Sequence, residues 1–169
     1  PIQLALMTAR IANGGKKINP TLLKSPILQA SNANSVMVSE DNLNIIKRAM
    51  EKVSLDEFGT GRNFRLGIKG VEMAGKTGTV QVRRISTKER ESEEGVIKNE
   101  DRIWEWRDHA LYVGYAPMDK PRYAISVIVE HGGSGSSKAG PIARDIMEAT
   151  LTDDPTRFIP KNPIKKPLI

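Results

Sequence analysis

Two strongly apolar runs, residues 110–116 (ALYVGYA) and 123–130 (YAISVIVE), stand six residues apart, with only PMDKPR between them. Aromatic and β-branched residues in short runs favour strands. Six residues cannot hold the crossover that parallel strands need, so the two runs must form an antiparallel hairpin. A third strand is read over residues 71–82 (VEMAGKTGTVQV), where Ala74, Lys76, Val80 and Val82 share one face at period two. A lysine on a buried face is costly unless it is paired or working.

Helices flank this sheet. Residues 1–13 carry Leu4, Met7 and Ile11 at helical spacing, with Pro1 suited to a first turn and Asn13-Gly14-Gly15 as the stop. Residues 16–38 are mixed, with Pro20 and Pro26 as breakers. Ser39 caps a second helix, whose apolar stripe is Leu43, Ile46, Met50 and Val53. Gly59-Thr60-Gly61 marks a loop. A Gly/Ser segment from His131 to Lys138 reads as a flexible connection, with Gly132–Ser137 as a weaker candidate anion loop. A last helix follows, with Pro141 near its start and Ile142, Ile146 and Ala149 on one face. The pattern is α/β (α+β): an antiparallel sheet flanked by helices.

Residues 83–108 break the pattern. Fifteen of these 26 residues are charged, which predicts a solvated insertion, mobile or a long hairpin arm, without a catalytic group. Trp104 and Trp106 near its end read as the approach to the next strand. Residues 153–169 hold four of the ten prolines and read as an extended tail.

Charge and composition exclude several classes. The net charge of +6 invites a nucleic-acid reading, but the basic groups are dispersed and no basic helix with interleaved aromatics occurs. No nucleic-acid partner is expected. The absence of cysteine excludes disulfides, thiolate catalysis and Cys-ligated zinc. His109 and His131, at strand ends, read as structural residues rather than a catalytic or metal pair. Asp108 beside His109 suggests a local polar contact. No cofactor or metal is expected. No stretch approaches ~18 apolar residues, so no membrane span or signal peptide is expected within these residues.

Gly70-Val71-Glu72-Met73-Ala74-Gly75-Lys76-Thr77 matches the phosphate-loop pattern G-x-x-x-x-G-K-[ST] at every position. Val127-Ile128-Val129-Glu130 even resembles the acid-ended strand that holds Mg²⁺ in such enzymes. A phosphate loop needs a helix starting at the lysine, because N-terminal helix amides hold the phosphates. Here Gly78-Thr79-Val80-Gln81-Val82 follows, which is strand chemistry. A P-loop NTPase stays open only as an alternative, as does a catalytically silent wall- or protein-binding module.

Lys76-Thr77-Gly78-Thr79 on a strand resembles the Lys-Thr-Gly box of serine D,D-transpeptidases and β-lactamases. The resemblance extends, in order, through PIQLALMTARIANGG, Gly59-Thr60-Gly61, VEMAGKTGTVQV, RDHALYVGYAPMDKPRYAISVIVEHGGSGSS and GPIARDIMEA. Over roughly residues 1–151 the chain is similar to the C-terminal half of the penicillin-binding protein 2 family, class B transpeptidases of cell elongation. The resemblance implies a partial serine β-lactamase/transpeptidase-like fold, with residues 1–152 as the C-terminal part of the domain. It implies that Lys76 supports the serine proton relay. Thr77 and Thr79 would offer hydroxyls to a carboxylate, and Gly78 would leave room for substrate backbone. The Thr79 N–H would join the oxyanion hole. The implied partners are peptidoglycan stem peptides, β-lactams and membrane partners of the elongation machinery, at the periplasmic face of the bacterial inner membrane.

The family's other two boxes, Ser-x-x-Lys and Ser-x-Asn, are absent. No serine has lysine three residues on, Thr21-Leu22-Leu23-Lys24 has the spacing only with threonine, and Ser39-Glu40-Asp41-Asn42 is not Ser-x-Asn. Both boxes precede Lys-Thr-Gly in the family, so they, and any membrane anchor, are expected upstream of Pro1.

Overall fold

A computed structural model of the chain describes residues 1–22, 35–93 and 95–153. Lys24, Pro26 and the Pro-rich tail beyond Asp153 lie outside the described residues. The elements are α1 (Ile2–Ala12), α2 (Glu40–Leu55), β1 (Ala74–Val80), the single-turn α3 (Thr87–Arg90), β2 (His109–Ala116), β3 (Tyr123–Val129) and α4 (Gly140–Thr152).

The three strands form one antiparallel sheet in the order β1-β2-β3. Ala116 faces Tyr123 across the short connection, so the expected hairpin is present. β1 pairs with β2 from Ala74↔Tyr115 to Val80↔His109. The strand is shorter than the expected 71–82, because residues 71–73 and 81–82 lie outside the ladder.

Period-two alternation divides the core between two faces. On one face Tyr112, Ala110 and Ala116 pack with Phe64, Met73, Ala143 and Met147, under α4. On the other, Ala74 and Tyr115 pack with Ala12 of α1 and Met50 of α2. The ring of Tyr112 lies along the sheet over a directly opposed glycine pair, Gly75 and Gly114. A Cβ at Gly114 would stand 2.8 Å from Tyr112 Cε1, and one at Gly75 would meet the phenol itself. Phe64 meets Tyr112 edge-on, with ring centroids 5.2 Å apart.

Helix boundaries follow local chemistry. Ser39 Oγ accepts from the Asn42 N–H and caps α2, with Glu40 and Asp41 in the first turn. Leu43 and Met50 are buried as expected, and Ser54 continues their row, its hydroxyl donating to the Met73 carbonyl at 2.7 Å. Ile46 is exposed. In α1 the buried positions are Thr8 and Ala12, not the expected Met7.

Other expectations do not hold in full. The buried face of α4 is Gly140, Ala143 and Met147, while Ile142 and Ile146 are exposed. Small residues line that face because α4 closes directly on Phe64: a Cβ at Gly140 would lie 2.7 Å from Phe64 Cε2. The segment after β3 is not a flexible connection throughout: Gly135–Ala139 form a π-helical turn, with Gly135 and Ala139 buried. Trp104 and Trp106 lie just ahead of β2, as expected, but are not packed into the core. They sit in a 3₁₀ turn, and both are more than half exposed.

The described residues of 83–108 form no hairpin arm. They hold α3, 3₁₀ turns at Asn99–Asp101 and Trp104–Trp106, and irregular backbone. The first half is a surface excursion in which Arg83 pairs with Glu89, holding that carboxyl below the usual range. The second half docks back on the sheet through Arg102, which is buried.

Candidate active site

Lys76, Thr77, Gly78 and Thr79 occupy the middle of β1, which is strand and not helix. A phosphate loop is therefore ruled out at the one position it needs, since no helix N-terminus follows Lys76. Among the described residues β1 pairs with β2 alone. Its outer side is a sheet edge, able to receive an extended backbone.

The Lys76 side chain is exposed, and its Nζ donates to the Thr77 carbonyl oxygen at 2.7 Å. This corrects the expectation of a buried face. Ala74 on that face is fully buried, but Val80 and Val82 are 46% and 40% exposed. The α1/α2 cover thus ends near Ala74, and Lys76 stands beyond its rim.

Thr77 points to the other side of the strand. Its Oγ1 lies 2.9 Å from Thr60 Oγ1. Thr60 is held there by its turn: the Gly61 N–H donates to the Val53 carbonyl at the end of α2, at 2.7 Å. The sequence marks Gly59-Thr60-Gly61 as a loop and as part of the resemblance, but does not place Thr60 against Thr77.

Thr79 opens on a cavity of about 450 Å³, lined also by Asn99, Arg107, His131, Ser134 and Lys138. Three segments far apart in sequence meet there: β1, the second half of the charged excursion and the 131–138 segment. The π-helical turn rests on β1 itself. A Cβ at Gly135 would stand 2.8 Å from the Gly78 nitrogen and 2.5 Å from the Leu111 carbonyl oxygen. The excursion, expected to be solvated and without a catalytic group, supplies part of the cavity wall through Asn99 and Arg107. Charge density in residues 83–108 hid Asn99 and Arg107 from the sequence reading.

The two histidines are not isolated. Their ring centroids lie 4.6 Å apart. His109 Nδ1 accepts from the His131 N–H at 2.8 Å, and His131 Nδ1 lies 3.0 Å from the Arg107 carbonyl. Both are hydrogen-bonded at the strand ends, and His131 also lines the cavity beside Thr79. Asp108 bonds to Arg102. No group of three or more metal-ligating side chains occurs among the described residues.

A family model described as the penicillin binding protein transpeptidase domain matches residues 1–148. The chain belongs to the penicillin-binding protein transpeptidase family. It is 34% identical over 163 residues to the peptidoglycan D,D-transpeptidase MrdA of Haemophilus influenzae, covering 89% of this chain and 23% of that protein. Among solved structures, penicillin-binding protein 2 of Pseudomonas aeruginosa in complex with WCK 5153 matches with a TM-score of 0.67 and 33% identity. That match covers 91% of this chain and 30% of the other. The complex between penicillin-binding protein 2 and MreC from Helicobacter pylori matches with a TM-score of 0.64 and 26% identity, over 89% of this chain and 24% of that one. The chain thus spans about a quarter of the length of the curated relatives it matches. The fold is that of the penicillin-binding protein transpeptidase domains.

Proposed function

We propose that this chain supplies the Lys-Thr-Gly wall of a peptidoglycan D,D-transpeptidase. The observation that carries the reading is the placement of Lys76–Thr79 on an open sheet edge, with Lys76 and Thr79 exposed. Such an edge can align a stem peptide as an added strand. In the reaction, a serine hydroxyl outside these residues attacks the carbonyl of the peptide's penultimate residue. The serine proton passes through basic groups that include Lys76, and the terminal residue leaves as the free amino acid. An amine of a second stem peptide then attacks the acyl-enzyme and restores the serine. β-Lactams acylate the same serine.

Within this scheme Lys76 sustains the proton relay, and the Thr77 and Thr79 hydroxyls grip the substrate carboxylate. The Thr79 N–H donates to the developing oxyanion, the usual electrostatic aid to acyl transfer. Thr60 holds the Thr77 hydroxyl in position. The protein would act at the periplasmic face of the inner membrane beside partners of the elongation machinery. No described helix is long and apolar enough to cross a membrane.

The test is Lys76→Ala in the protein that carries this segment. The variant should stay folded and lose about 10²-fold or more in its rate of acylation by benzylpenicillin, the scale of a lost proton-transfer group. Acylation at the normal rate would overturn the assignment.

A further inference from the structure

The charged excursion returns to the sheet through a compact polar knot. Arg102 is only 8% exposed, so its charge must be satisfied internally. Its Nη1 donates to both Asp108 oxygens, each at 3.2 Å, and to Asn99 Oδ1 at 3.3 Å. Its Nε donates to the Ile97 carbonyl at 3.0 Å. Asn99 Oδ1 also accepts the Asp108 N–H at 2.8 Å. Three side chains are thereby locked to one another where the backbone enters β2.

The knot grips the segment after β3. The Asp108 carbonyl accepts the Gly133 N–H at 2.8 Å. Gly133 has φ +83, and a Cβ there would collide with Asn99 Nδ2. Two residues before Gly133, His131 holds a positive φ of 53, fixed by its bonds to His109 and Arg107 and by Trp104, whose ring lies 4.3 Å away. Two residues after Gly133, Gly135 sits on the Gly78 backbone. A continuous chain of contacts therefore runs from Asn99 through Gly133 and Gly135 to β1 at Gly78–Thr79.

We propose that Asn99, with the Arg102–Asp108 pair, is a positioning residue for the acyl-transfer site: it holds the 131–135 segment on Gly78 and so fixes the Thr79 N–H and the cavity wall beside it. The Arg102 and Asn99 hydrogen bonds run among residues 97–108, the Asp108 carbonyl accepts the Gly133 N–H, and Asn99 and Asp108 reach the cavity beside Thr79 as part of its wall. The catalytic arm of this inference rests on the transpeptidase reading; the structural arm does not. Misplacement of a catalytic group by about 1 Å can cost up to about 10²-fold in rate, so partial release of the wall should cost about tenfold.

The experiment uses the protein that carries this segment, with Asn99→Ala and Gly133→Ala as variants on the two sides of one contact and Lys88→Ala, in the exposed half of the excursion, as control. Two quantities are read: amide exchange over residues 131–138, and the acylation rate by benzylpenicillin at saturation per titratable site. A merely structural role would lower the number of titratable sites and leave the rate of each unchanged. Both variants should speed exchange over 131–138 about tenfold, leave exchange in α1 and α2 unchanged, and lower the saturating rate about tenfold at a full count of sites. Lys88→Ala should match the parent in both. Unchanged exchange in both variants, or faster exchange with a normal rate per site, would overturn the proposal. If the unsubstituted protein is not acylated at all, the transpeptidase reading fails, and the exchange arm alone decides whether the knot holds the wall.

Discussion

Single residues carry the chemistry and also much of the cost of this fold. Tyr115 lies fully buried between sheet and helices, and its hydroxyl has no protein partner among the described residues. Burial, and then the charge of Glu51, push its phenol up to about 12. Burial also raises the neighbouring Tyr112. A group with a raised native pKa binds its proton more tightly folded than unfolded. Its contribution is whole below the unfolded value of about 10 and is lost as pH climbs toward 12. Stability should therefore fall with alkali over that window, and Tyr115→Phe should make the fall shallower. At pH 7 the same substitution should be neutral or stabilising, since it removes an unpaired buried polar atom. Urea denaturation midpoints from pH 7 to 12 are the check. At this scale the strand placement of Lys76, Thr77, Gly78 and Thr79 was legible, because the Gly and β-branched residues after Lys76 favour strand over helix. The exposure of Lys76 was not, because alternation assigns a face but not where the helical cover on that face ends.

At the scale of elements, the hairpin was legible because a six-residue connection leaves one geometry. α4 was legible as a helix and misread in orientation. Counting apolar side chains selected Ile142 and Ile146, whereas contact with Phe64 selects residues with little side chain, Gly140 and Ala143. Close approach rather than hydrophobicity decided that face. Gly140→Ala should cost about 1–3 kcal/mol, the usual penalty of an overpacked contact, because the Phe64 ring must move. Chemical denaturation of the protein that carries this segment measures it; an unchanged midpoint would show that α4 does not close on Phe64. The π-helical turn and the docked half of the excursion were beyond sequence reading for another reason. They are fixed by contacts between residues far apart in the chain, such as Gly135 on Gly78 and Asp108 on Gly133.

For the whole molecule, the decisive fact is what these 169 residues hold between them. In the proposed scheme they supply Lys76, the Thr77 and Thr79 hydroxyls and the Thr79 N–H, and they contain no serine with a lysine three residues on. An acyl-enzyme needs a nucleophile and a base within hydrogen-bond reach, so the isolated chain should be silent toward β-lactams rather than slow. Intact-mass spectrometry after exposure to benzylpenicillin should show no adduct, and a stoichiometric gain would place the nucleophile here after all.

The open edge of β1 has a further consequence, in solubility. A strand that can take up a substrate backbone can as readily take up a strand from another copy, and sheets grow by that route. Lysine on an edge strand is one of the devices that oppose such growth, through charge and hydration. Lys76 sits in the middle of this one, so the ammonium assigned to the chemistry is also a gatekeeper against self-association. Neutralising it removes both at once, and the activity of any Lys76 variant has meaning only beside its sedimentation profile.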